Sequence, residues 1–181
     1  SGGVFQNCVL NQELRALLGS HPVFFSPVSS DCGAAIGAAF SEQLDQPQSG
    51  RFQSMYLGAT SSNDEILTAL KSRGLKFKKN DNVAVEGAKL LADGAIIGWY
   101  QGRAEFGPRA LGNRSILADA RKPEVRKLIN SKIKEREDFR PFAPSVLAEK
   151  ADGYFECDFD APFMIETVRV RAKGMNLVPA A

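Results

Sequence analysis

Histidine is nearly absent from this sequence. His21 is the single example and no Cys-x-x-C pair accompanies it, so the chain has no means of assembling a zinc site by itself. The three cysteines, Cys8, Cys32 and Cys157, are odd in number and far apart. That argues against a disulfide framework and for free thiols in a reducing compartment. No apolar run reaches the ~18 residues that a bilayer span needs, and no secretory signal opens the chain. A cytoplasmic protein without a membrane partner is therefore expected. Repeats and low-complexity tracts are lacking too. What is present is ordinary globular composition, with 44% of the 181 residues hydrophobic and 24% charged. That suffices for one large domain, or for a small domain plus part of another.

The net charge is only +2, but it is unevenly placed. Residues 101–145 hold eleven Lys and Arg against six Asp and Glu, which leaves the remainder net negative. A local basic excess favours an anionic partner, phosphate above all, although a solvated helix face would look the same.

Along the chain, Val4, Cys8, Val9, Leu14, Leu17 and Leu18 recur at helical spacing, and Gly19 suits a C-cap. Residues 22–26 read as a short buried strand. Ser29-Ser-Asp-Cys-Gly33 turns into an alanine-rich helix from Ala34 to about residue 44, whose small side chains suit close packing. The Gln, Ser, Gly and Pro of residues 45–59 read as a linker. Ser62-Asn-Asp-Glu65 fits a capping box for a helix through Lys71 that stops at Gly74. A further helix is expected over Asn82–Ala92 with Gly94 behind it, followed by a strand over 95–100. Pro123 opens a helix to about Lys134. Residues 145–147 and 163–170 look strand-like. Helices and strands mix throughout, so the class is α/β (α+β).

The informative stretch is Gly102-Arg-Ala-Glu-Phe-Gly-Pro-Arg-Ala-Leu-Gly-Asn-Arg-Ser115. Arg103, Arg109 and Arg114 punctuate a loop bent by Gly and Pro. Glycines let main-chain N–H groups approach an anion, and guanidinium forks grip phosphate or carboxylate bidentately. The plain alternative is a structural loop whose arginines pair with Glu105 and neighbouring carbonyls. A second basic cluster holds Lys132, Lys134, Arg136 and Arg140, followed by Pro141-Phe-Ala-Pro-Ser145. For Lys134 and Arg136 to share a face their backbone should be extended. The alternative is a charged helix end neutralised by Glu135, Glu137 and Asp138.

Residues 101–119 and 129–146 together resemble the NodU/CmcH family of O-carbamoyltransferases, and the likeness runs through essentially the whole chain. Gly2-Gly-Val-Phe-Gln-Asn7 and Ser30-Asp-Cys-Gly-Ala-Ala-Ile-Gly37 look like the end of that family's actin-like (ASKHA) ATP-binding domain, and the later unit resembles its YrdC-like domain. The implied division is 1–45 actin-like, 46–60 linker and 61–181 YrdC-like. Ser1-Gly2-Gly3, which could pass for an expression scar, is then native sequence.

The resemblance implies that carbamoyl phosphate reacts with ATP to give carbamoyl-adenylate, and that the carbamoyl group then passes to a small-molecule hydroxyl acceptor. It places Arg103, Arg109, Arg114, Ser115, Lys134, Arg136 and Arg140 around carbamoyl phosphate, with all of these except Ser115 and Arg140 counted as catalytic. Gly2, Gly3, Asn7 and Gly33 would line the nucleotide pocket. Asp31 matches a metal-ligating Asp, for Fe²⁺, Mg²⁺ or Mn²⁺ in a complete protein, although the bare sequence favours a helix N-cap for it. The histidine ligands and the rest of the actin-like domain are expected outside this chain, so this chain by itself is not expected to run a full cycle. Two other classes compete. One is a hydrogenase-maturation carbamoyltransferase, which shares the Ser-Gly-Gly-Val-Phe-Gln-Asn start. The other is a non-catalytic anion- or RNA-binding YrdC-like module, and against nucleic acid stands the want of aromatics interleaved with the basic residues.

Overall fold

The structure is a computed structural model, and it describes residues 2–41 and 54–180. Most of the expected linker therefore lies outside the described residues. A 3-10 turn over Gly3–Gln6 leads into helix α1, Cys8–Leu18. Asn7 caps α1, its side-chain oxygen accepting from the N–H groups of Val9 and Leu10 at 3.2 Å each. Gly19, at φ 56°, ends it by donating to the Arg15 carbonyl.

The interior side of α1 is polar. Asn11 is fully buried and donates to the carbonyls of Phe5 and Ile165. Gln12 meets Thr167, and Arg15 pairs with Glu166 at 2.5 Å. The segment 165–167 thus closes onto α1 through a polar ladder.

Residues 22–26 are extended but form no strand, because nothing among the described residues pairs with them. Phe25 is buried while Phe24 stays exposed. Helix α2, Asp31–Ser41, begins three residues earlier than expected and buries none of its side chains among the described residues. Among the described residues its alanines find no close packing, and the helix is tightly approached at Gly33, where a Cβ would sit 2.4 Å from the Val28 carbonyl oxygen.

Helix α3, Asn63–Ser72, carries both halves of the expected capping box between Ser62 and Glu65. Helix α4, Val83–Ala92, packs Gly87 against Trp99 of strand β1, Ile97–Tyr100. Strand β2, Arg114–Leu117, pairs antiparallel with β1 from Ile97↔Leu117 to Tyr100↔Arg114. The arginine-rich stretch is therefore the connection of a hairpin, and its last two residues belong to the returning strand.

Helix α5, Glu124–Leu128, runs into a π-helical segment over Ile129–Ile133. Residues 145–147 lack the expected strand. Of 163–170 only Arg169–Val170 (β4) is strand, paired with Phe155–Glu156 (β3). Helix α6, Ala172–Met175, follows. The result is a mixture of helices with two small antiparallel sheets, in keeping with the α/β (α+β) class. Among the described residues no helix is long and apolar enough to cross a membrane.

Apolar burial is thin. Phe25, Val28, Met55, Val125, Ile129, Phe155 and Ile165 form its centre, while Leu17, Phe24 and Phe139 stand out in solvent. Met55 matters most for the loop. The Phe106 N–H donates to its carbonyl at 2.6 Å, and Gly58 and Ala59 exchange main-chain bonds with Ala104. Residues 55–59 thereby clamp one arm of the 101–113 connection.

Candidate functional site

The 101–113 connection is held by one carboxylate. Glu105 Oε1 accepts from the N–H groups of Leu111 at 2.7 Å, Asn113 at 2.8 Å and Arg114 at 3.2 Å. Burial alone would raise the Glu105 pKa, but the main-chain donors of Asn113, Leu111, Glu105 itself and Arg114 outweigh it and hold the pKa below the usual value. Gly107 and Gly112 turn the chain at φ 108° and 105°, where a side chain would be strained. Asn113 is buried, donates to the Arg103 carbonyl at 2.7 Å and accepts from Gln101. Glu105 was read from sequence only as a possible partner for the arginines; it binds amides instead.

Two of the three loop arginines serve the loop. Arg103 donates to the carbonyls of Gly58 at 3.0 Å and Leu57 at 3.1 Å. Arg114 donates to those of Gln101, Asn113 and Gly102, with its guanidinium 3.5 Å above the Tyr100 ring. Ser115 Oγ accepts from the Gly112 N–H at 2.9 Å. For these three the structural alternative describes the side chains better than convergence on a ligand. Arg109 differs. Its Nη2 donates to the Gln6 carbonyl at 2.7 Å, and its Nε is buried without a hydrogen-bond partner among the described residues.

The second cluster is organised by Asn130, which is fully buried. Its Oδ1 accepts from Arg136 Nε at 2.7 Å, and its Nδ2 donates to the carbonyls of Asp138 and Arg140. Nothing in the local pattern marks this role, since a lone Asn in a helix has no fixed partner.

The extended backbone expected for residues 134–136 is a turn. Lys134 is helical, Glu135 is left-handed at φ 47°, and Arg136 N–H closes onto the Asn130 carbonyl at 2.9 Å. The demand of the helix end for hydrogen bonds overrides alternation. Arg136 lies over the Phe142 ring at 4.8 Å. Its pKa is lowered by burial first and then by the Arg140 charge; Glu137 opposes this and Arg109 adds to it. Among the described residues the Arg140 side chain has only a 3.8 Å ion pair with Glu137. Lys134 is exposed. The structure thus brings Arg109, Arg136 and Arg140 into one electrostatic neighbourhood, and leaves Arg103 and Arg114 in the loop scaffold.

The residues expected near a nucleotide are less committed. Gly2 and Gly3 are exposed, and a Cβ on either would meet only open space. The Asn7 side-chain oxygen is taken by its helix cap, and Gly33 packs under Val28. Asp31 is exposed and is the first helical residue of α2; the N-cap bond comes from Ser30, whose Oγ accepts from the Cys32 N–H at 3.3 Å. Among the described residues no group of three His, Cys, Asp or Glu side chains could hold a metal ion.

Comparison with known proteins adds a family. The model described as carbamoyltransferase C-terminus matches residues 88–181. The chain is 44% identical to nodulation protein NolO of Bradyrhizobium diazoefficiens, over 99% of this chain and 34% of that protein. It is 43% identical to nodulation protein NolNO of Sinorhizobium fredii, over 99% and 28%. It is 35% identical to the 3'-hydroxymethylcephem-O-carbamoyltransferase of Streptomyces clavuligerus, over 96% and 32%. The chain spans about a third of the length of these relatives.

Proposed function

Because the chain belongs to the carbamoyltransferase family, we propose that it forms the part of an O-carbamoyltransferase that holds carbamoyl phosphate, with the phosphate seated among Arg109, Arg136 and Arg140. The observation that carries this reading is the state of Arg109. A buried guanidinium donor without a partner, beside a second arginine already strained by burial and like charge, costs stability unless an anion completes it. Carbamoyl phosphate suits these donors in charge and in geometry, its phosphate facing the guanidinium forks of the cluster and one of its oxygens accepting from Arg109 Nε. As the bond between the carbamoyl group and phosphate breaks, negative charge grows on the phosphate oxygens, and fixed cations stabilise that change. Lys134 stands exposed at the end of the same helix and adds a mobile charge.

In its finer form the proposal follows the family resemblance. Carbamoyl phosphate loses its phosphate to water, and the carbamate takes the adenylyl group of ATP with release of pyrophosphate to give carbamoyl-adenylate. A small-molecule hydroxyl then receives the carbamoyl group with release of AMP; the name of the Streptomyces relative indicates an O-carbamoyl transfer for that enzyme. Residues 1–45 belong to an actin-like domain and 61–181 to a YrdC-like one. ATP, when bound, supplies the activating nucleotidyl group; Gly2 and Gly3, with open space around them, leave room for its phosphates. Asp31 alone does not make a metal site, and no step is assigned to a metal. The free thiols of Cys8, Cys32 and Cys157 fit a cytoplasmic setting.

Calorimetric titration tests the reading. Arg109→Lys keeps the charge and loses the fork, and it should weaken carbamoyl phosphate binding by about 1–3 kcal/mol. A lysine as good as arginine, or RNA as the only ligand bound, would overturn it.

A further inference from the structure

Arg109 is not the only orphan at this place. Gln6 Oε1 is also buried and has no hydrogen-bond partner among the described residues. The two residues touch, since Arg109 Nη2 donates to the Gln6 main-chain oxygen at 2.7 Å. One contact therefore leaves behind a buried donor, Arg109 Nε, and a buried acceptor, Gln6 Oε1.

The orientation of the Gln6 amide follows from chemistry. Its Nε2 faces the carbonyl oxygen of Ser29 at 3.4 Å, and a carbonyl can only accept. Turning the amide over would set oxygen against oxygen. Ser29 is itself buried and anchored to the Ser26 carbonyl by its N–H and its hydroxyl, so the frame that orients Gln6 is firm. Oε1 is left as an acceptor facing away from Ser29.

A phosphate oxygen could complete Arg109 Nε but would be repelled by Gln6 Oε1, because neither has a proton to give. The ligand group that suits both carries an acceptor and an N–H donor on one carbon. We infer that Gln6 is a specificity-determining residue that accepts a hydrogen bond from the amide nitrogen of the carbamoyl group while Arg109 Nε donates to its carbonyl oxygen. This rests on the assignment of carbamoyl phosphate to the arginine cluster. It adds that the chain tells a carbamoyl group from an acetyl group, which has the carbonyl but a methyl in place of the amide. A site built to bond an N–H rejects the analogue lacking it, because its own acceptor is then left buried and unpaired.

The test is calorimetry on the full chain with freshly prepared carbamoyl phosphate, acetyl phosphate and inorganic phosphate. The wild type should bind carbamoyl phosphate about tenfold or more tighter than acetyl phosphate, the scale of one hydrogen bond. Gln6→Met should remove that preference by weakening carbamoyl phosphate alone, with inorganic phosphate unchanged. Gln6→Glu keeps an acceptor and adds a negative charge. It should weaken all three ligands yet keep the preference, and this holds the test open if the Met variant folds poorly. A wild type that binds both acyl phosphates equally, or a Gln6→Met variant that loses both in parallel, overturns the role of Gln6 and leaves the arginine cluster standing. A wild type that binds none of the three overturns the cluster assignment and this inference together.

Discussion

Arginines of one loop meet two fates here, and the contrast separates scaffold from site. Arg103 and Arg114 spend their guanidinium groups on main-chain carbonyls, while Glu105 gathers three amides of the same loop. Each of these three side chains finds partners inside the chain. Arg109 sits between them in sequence and leaves the loop to meet Gln6, next to Arg136 and Arg140. There the balance fails, with a donor and an acceptor buried without partners among the described residues and the Arg136 pKa lowered by burial and by the charges of Arg140 and Arg109. A buried donor and acceptor left unpaired beside an otherwise satisfied loop mark the place where the proposed ligand would sit.

The largest effect expected from this contrast is at Glu105. Glu105→Ala would strip the acceptor from three N–H groups at once. Main-chain donors that water reaches only in part should cost about 3 kcal/mol in total, read as a lower denaturation midpoint. Carbamoyl phosphate affinity should fall with it, because Arg109 loses its frame. A variant that melts like the wild type would mean that the loop is held by something other than this carboxylate.

Next in size is a pair of substitutions expected to move opposite observables. Arg114→Lys should cost about 1 kcal/mol of stability, by losing main-chain bonds and its place over Tyr100, and leave affinity alone. Arg109→Met should abolish measurable affinity and cost no stability, since the lost bond to Gln6 is offset by removing a buried unpaired donor and a repelling charge. If both lower stability and affinity together, scaffold and site are one unit and the division fails.

These fates were only partly legible in the sequence. The capping box at Ser62 and Glu65 and the glycine stops at Gly19 and Gly94 were readable because a cap is completed within a few residues. Asn7 was read as a nucleotide contact although the same local rule makes it the cap of α1. Strand β2 was missed because Arg114-Ser-Ile-Leu117 follows a glycine-rich turn and is too short to show alternation. The two-residue strand β3 is invisible for the same reason, and β4 is only the last two residues of the strand expected over 163–170, since the partner defines where pairing begins. Charge alone put Arg109 with Arg103 and Arg114 and set Arg136 and Arg140 in a second cluster; only the family resemblance joined the two. That Arg103 would turn to Leu57 and Gly58 depends on carbonyls more than forty residues away, which no local pattern encodes. Gln6, in a motif read for its glycines, had no local signal at all.

The smallest expected effect concerns acid. Glu105 and Asp119 both have pKa values held below their ordinary ones, Asp119 moved from 3.8 to about 2 by its hydrogen bonds to Arg121. A lowered folded pKa means that the stabilisation is complete above the unfolded value and is lost as pH falls toward the folded one. The loss attached to Glu105 therefore begins below about pH 4.5, and that attached to Asp119 falls between about pH 3.8 and 2. Their partners differ in kind. Glu105 is held by main-chain amides, which carry no net charge for salt to screen, whereas Asp119 is held by Arg121, an exposed cation that salt does screen. Acid denaturation followed with and without added salt should show the Glu105 share unchanged and the Asp119 share reduced by salt, the part held by the Arg121 main-chain N–H remaining. Glu105→Gln should accordingly flatten the upper part of the acid limb equally at either salt, and Asp119→Asn should flatten its lower part slightly and less at high salt. Equal salt sensitivity of the two variants would show that Glu105 is held by charge and not by the amides of its loop.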